Sequence, residues 1–332
     1  MIRRSALIAA LCVMVVAAII LSIFVGARPL SVAEVATVLA DPSARHSEIG
    51  EIVWGQRLPR TILGICVGAA MALAGATIQG HTRNALADPS ILGVSSGAAF
   101  AVVLVVFAFG NTSIYAQVAA ALVGAVVASV IVFSISALSG GLSASTTLIL
   151  AGAAMTALFT ALTTAMILRN RASLNQLRFW NSGALSSVEP SILAVVAPIL
   201  FAGAVIALSS APALNALAIG PDTAQSLGIN VPRSRVMGLV AVTLLAGGAT
   251  CVAGPLAFLG LLAPHAIRAL TGPDYRWVLP AAPLAGAGFV LLADVVGRRV
   301  IAPAELNAGI VLAAIGAPVF IALVRRRGLI EV

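Results

Sequence analysis

Ten long apolar runs leave this chain few ways to fold. They lie near residues 5–25, 61–80, 91–109, 115–138, 145–168, 191–209, 235–253, 255–270, 277–297 and 306–324. A membrane-spanning helix needs about 20 consecutive apolar residues, so ten of them use roughly 200 residues and leave short loops. The strict alternation of a membrane β-barrel is missing. Hydrophobic residues make up 61% of the chain and charged ones 9%, against about 25% charged in soluble domains. A water-soluble enzyme, a disordered chain and a nucleic-acid-binding module are therefore excluded. The expected fold is an all-α membrane protein of about ten transmembrane helices, in a single domain over 1–332. The first run is longer than the apolar stretch of a signal peptide and is read as an uncleaved span. The eighth is short and crowds the seventh, so nine or eleven spans also fit.

The charges narrow the function. All 19 basic residues are arginine, for a net charge of +8. Without lysine there is no P-loop and no Schiff-base chemistry, so any ATP must be bound by another chain. The arginines stand mostly at the ends of apolar runs, as membrane-boundary residues do. Cys12, Cys66 and Cys251 are odd in number and far apart, which suits neither a disulfide framework nor a metal site; they read as buried apolar fillers. The 11 acidic residues fall in loops or near span ends, which argues against a proton-coupled secondary transporter and leaves sodium coupling through backbone carbonyls as the alternative. No zinc-protease or nucleophile-elbow motif is present. An even number of spans puts both termini on one side, and Arg3, Arg4 and Arg325–Arg327 make that side cytoplasmic. Nine arginines then remain on the outside, a surplus that needs a reason.

Several local patterns stand out. Arg57 and Arg60 share a helix face, with Pro59 suited to the first turn; Arg298 closes the ninth run. On spacing alone these are snorkelling boundary residues. Within 212–233, Leu214 and Leu217 have helical spacing. Gly220-Pro221-Asp222 then breaks the chain and starts a second short helix through Ala224 and Leu227, closed by Gly228. In the fifth run Ser145, Gly152, Thr156, Thr160 and Thr163 share one small, hydroxylated face. Such a face either lines a wet pathway or packs on another helix. Gly64, Gly68 and Gly75 predict close helix contacts. Asp88 fits an N-cap for the third span. His265, after Pro264, fits a hydrogen-bonded structural role. Asp294 and Arg298 fit an i, i+4 ion pair.

Three blocks carry a resemblance. The first is Arg57-Leu-Pro-Arg60, the run from Val67 to Ala76, Gln79, and Arg83 to Gly97. The second is Gly254 to His265 with Arg268, Leu292-Ala-Asp294 and Arg298. The third runs from Gly309 to Pro318. In order along the whole chain, they resemble the ferric-siderophore and vitamin-B12 (FecCD-type) permease family, departing at Ala85, where that family usually has proline. The resemblance implies a type II ABC importer permease fold in a bacterial plasma (inner) membrane. It implies a second permease subunit, two ATPase subunits that hold ATP and Mg, and an external substrate-binding protein. This chain would hold no cofactor and no metal of its own, and would bind no nucleic acid; membrane lipid surrounds it. The cargo implied is a ferric siderophore, with haem and cobalamin open. By the same resemblance Arg57, Arg60 and Arg298 dock the binding protein. Leu214, Leu217, Asp222, Ala224, Leu227 and Gly228 couple to the ATPase. The fifth span lines the pathway through Gly152, Thr156, Thr160 and Thr163, and Leu142, Ser143, Ser145 and Thr146 form a gate.

Overall fold

The computed structural model describes residues 2–110, 113–138, 145–181, 183–185, 190–302 and 304–325. Among them there are helices and no strands. Each of the ten apolar runs forms a helix: α1 Ile2–Phe24, α4 Leu58–Thr82, α5 Val94–Phe109, α6 Ile114–Leu138, α7 Ser145–Arg169, α9 Pro190–Ser209, α12 Val231–Ala253, α13 Leu259–Thr271, α14 Tyr275–Val300 and α15 Ala308–Arg325. Seven of the helical segments are long and apolar enough to cross a membrane; α5 and α15 are shorter, and α13 has only 13 residues.

Two breaks explain the lengths of α13 and α5. Gly254, at φ +72°, and Phe258, at φ +63°, hold 254–258 out of helix, so α13 starts four residues later than the apolar run. Before α5, a 3-10 turn over Pro89–Leu92 ends on Gly93 in the left-handed region. Asp88 caps that turn, accepting from Ser90 N, and not α5 itself, whose N-cap is Gly93. Packing pushes the Asp88 carboxyl above the ordinary carboxylate range.

α4 is the hub. It packs on α14, α12 and α13, while α5 packs on α6, α12 on α9 and α1 on α14. The glycines read as contact points are contact points. A Cβ at Gly68 would sit 2.5 Å from Gly286 O, and one at Gly75 would sit 1.8 Å from Gly260 O. Backbones meet there because no side chain intervenes. The cysteines are free, but only Cys251 is buried; Cys66 is intermediate and Cys12 exposed on α1, since an apolar helix beside lipid has no need to bury its apolar side chains.

Two polar breaks hold unforeseen structure. Residues 28–57 contain α2 (Val32–Ala40), a 3-10 turn, the short α3 (Glu48–Gly50) and a π-helical turn leading into α4. A capping box between Ser31 and Glu34 opens α2 and holds the Glu34 carboxyl below its ordinary range. Val35, Val38 and Val53 give the segment its own small core. After α7 comes α8, Arg171–Asn181, an amphipathic helix against α5 and α7. The expected pair in 212–233 is present as α10, Ala211–Ile219, and α11, Pro221–Ser226.

Candidate functional site

Three constellations carry the chemistry. At the end of the bundle where α1 finishes and α4 begins, Asp294 of α14 is fully buried. Arg60 of α4 donates to it through Nε (3.1 and 3.0 Å) and Nη2 (2.7 Å). Arg298, one turn along α14, donates to it from Nε at 3.0 Å and Nη2 at 2.5 Å. The outer arm of Arg60 binds Glu305 at 2.6 Å. Arg298 continues to Ser22 O, Val25 O and Ser22 Oγ. Arg57 donates to Ile23 O, Phe24 O and Arg28 O. The last carbonyls of a helix have no partner within it and carry the negative end of its dipole. Two arginines therefore cap α1, and one carboxylate ties α4 to α14.

The side chains of Arg57 and Arg298 lie inside this clasp, 5% and 2% exposed. Only Arg60, with its side chain 11% exposed, keeps a solvent-facing edge. The Asp294–Arg298 pair has the expected i, i+4 form.

The second constellation is a polar cavity of about 260 Å³ between α5, α7, α8 and the 254–258 break. Thr156, Thr160, Thr163 and Thr164 of α7 face Ser95 and Ser96 of α5 and Trp180 and Asn181 of α8 across it. The hydroxyl of Ser96 lies 3.4 Å from that of Thr156. Thr163 returns its proton to Phe159 O, so it needs no partner to be stable in an apolar helix. Gly152, one turn before Thr156 on α7, is buried. Ser145 and Thr146 open α7; Leu142 and Ser143 lie outside the described residues.

The third is the α10–α11 pair. Leu214, Leu217 and Ala224 are buried and anchor the two helices to the bundle. Asp222 and Gly228 are exposed, with Ile219 68% and Leu227 64% exposed. The sequence grouped six residues as one surface; packing splits them into three anchors and three that face out, and adds Ile219. Gly228 sits at φ +83° with open space around it.

Comparison with known proteins gives the constellations a context. The sequence profile of the FecCD transport family matches residues 14–326. The chain belongs to that family. Its FecCD relatives include the ferric enterobactin transport system permease protein FepD of Escherichia coli (strain K12), 44% identical over 327 residues, 98% of this chain and 97% of the relative. They also include the hemin transport system permease protein HmuU of Yersinia pestis, 37% identical over 276 residues, 82% of each chain. A solved ABC transporter assigned to the metal-chelate type, in an inward-facing conformation, superposes with a TM-score of 0.83 at 29% identity, over 97% of this chain and 99% of that one. The FecCD fold is thus the frame in which clasp, cavity and helix pair stand.

His265 departs from its reading. It is buried beside an apolar cavity of about 470 Å³ between α13, α14 and α15, and among the described residues its imidazole makes no hydrogen bond. The hydrogen-bonded hub nearby is Gln79. It accepts from the buried Arg268 and donates to Ala87 O and Gly260 O at 3.2 Å each. It thereby joins α4, the 83–88 turn and α13. Sequence spacing gave no sign of this hub, because its members are far apart in the chain.

Proposed function

We propose that this FecCD chain is the membrane permease subunit of an ATP-binding-cassette importer that carries ferric siderophores. The observation that carries the reading is the hydroxyl-lined cavity on α7, in a chain related end to end to a ferric enterobactin permease. This chain and a second permease subunit, identical or paralogous, enclose the pathway, two ATPase subunits hold ATP and Mg, and an external binding protein delivers the chelate. The lack of lysine supports placing the nucleotide on a partner. The ATPase meets the exposed side of α10–α11 through Ile219, Asp222 and Leu227. Arg60, at the rim of the clasp, is the docking residue best placed to meet a carboxylate of the binding protein. The membrane is the bacterial inner membrane, with both termini and α10–α11 in the cytoplasm and residues 28–57 outside.

Reconstitution tests this. In proteoliposomes holding the permease with its ATPase, ferric chelate uptake is expected only with ATP on the ATPase side and without an ion gradient. Uptake by the permease alone, or uptake driven by a proton or sodium gradient, overturns the reading. A single cysteine replacing Asp222 is expected to react with impermeant maleimide only from the cytoplasmic side.

A further inference from the structure

The clasp holds its two acids in different ways. Asp294 is fully buried and takes the Nε and Nη2 side of Arg60 together with the guanidinium of Arg298. Glu305 is the outermost member. Its side chain is 31% exposed, against 11% for Arg60 and 1% for Asp294. Its one hydrogen bond among the described residues is the one it accepts from Arg60 Nη1 at 2.6 Å. One guanidinium therefore serves two carboxylates, one locked inside and one at the surface.

The chain around Glu305 does not depend on that ion pair. Leu306 N donates to Gly297 O at 2.9 Å, and Gly309 N donates to Gly183 O at 3.1 Å. A Cβ at Gly297 would sit 2.2 Å from Leu306 O, so this segment lies directly on α14. The Glu305 side chain can leave Arg60 while its backbone stays in place. A solvent-accessible ion pair contributes little net stability, so another carboxylate can replace Glu305 at small cost. Arg60 would not move with the exchange, because Asp294 holds its inner edge.

We propose that Glu305 is an internal competitor for the docking site: when the binding protein arrives, one of its carboxylates displaces Glu305 from Arg60 Nη1. The inference rests on Arg60 as a docking residue, as read above, and adds the residue that sets how tightly docking occurs. Exchanging one charge-assisted bond for another leaves a small net gain. That suits a carrier that has to dissociate after each delivery. Without Glu305 the incoming carboxylate meets an unoccupied cationic arm, and docking tightens.

The test measures the dissociation constant of the binding protein that supports uptake in the reconstituted system. The permease–ATPase complex is held in nanodiscs of zwitterionic lipid, and each variant is first checked for monodispersity. Glu305→Gln keeps the size of the side chain and loses its charge; Glu305→Ala removes the acceptor as well. Both are expected to tighten docking roughly two- to fivefold, the scale of a solvent-accessible ion pair. Arg60→Gln is expected to weaken docking roughly tenfold or more. In the Arg60→Gln background the Glu305 substitutions should change little, because the cation they compete for is gone; this double-mutant cycle isolates the pair. Docking that is unchanged or weakened in both Glu305 variants, while Arg60→Gln loses it, overturns the proposal and leaves the docking reading intact. Equal tightening with and without Arg60 also overturns it, since Glu305 would then act only through overall charge. Wild-type docking by Arg60→Gln overturns instead the docking reading beneath it.

Discussion

Asp294 shows how much one residue can hold in a membrane protein. An ionised side chain at mid-bilayer costs roughly 2.5–3.5 kcal/mol on insertion scales. Here a fully buried carboxylate is offset by two guanidinium groups. Removing it leaves those cations without their main partner. Asp294→Ala is expected to destabilise the detergent-solubilised protein by about 3–5 kcal/mol, the usual effect of breaking a buried pair, read as a fall in melting temperature. Asp294→Leu combined with Arg298→Met should recover part of that, since an orphaned charge costs more than a missing pair. An unchanged melting point for Asp294→Ala would show that the clasp contributes nothing. The Asp294–Arg298 half was legible as an i, i+4 spacing. The contacts to α1 and to Arg60 were not, because they join residues more than 200 positions apart.

At the scale of elements, α10 and α11 were visible as helices while their outward face was not. α10 has nine residues and α11 six, too few turns for periodicity to say which side meets the bundle. Packing decides it, burying Leu214 and Leu217 and leaving Leu227 out. Leu227→Arg is therefore expected to abolish co-purification of the ATPase while the permease still inserts and behaves as a well-folded monodisperse protein. Leu217→Arg, which forces a charge into the core, should fail to fold. Retention of the ATPase by Leu227→Arg would remove this face from the interface. α8 and α2 passed as polar breaks for a related reason. α2, at nine residues, is too short to read as a span, and α8 is too polar.

At the scale of the molecule, the bundle closes on glycine contacts, and the tightest joins α4 to α13. A Cβ at Gly75 would meet Gly260 O, C and Cα at 1.8–2.6 Å. Backbone cannot move aside as a flexible side chain can. Gly75→Leu is expected to separate the two helices and lower the yield of monodisperse protein severalfold, measured by size-exclusion chromatography; Gly55→Leu, where the nearest atom is the Glu51 side chain at 3.7 Å, should have little effect. Monodisperse Gly75→Leu protein at wild-type yield would show that α4 and α13 tolerate separation. The sequence by itself determined the class, the ten apolar helices, the absence of a P-loop lysine and the contact glycines, because hydropathy and residue type are local properties. It could not determine where α13 and α5 begin, which arginines are locked inside, or which side of a short helix faces out. Only the tertiary structure decided those, because burial and ion pairing depend on what the rest of the chain brings alongside.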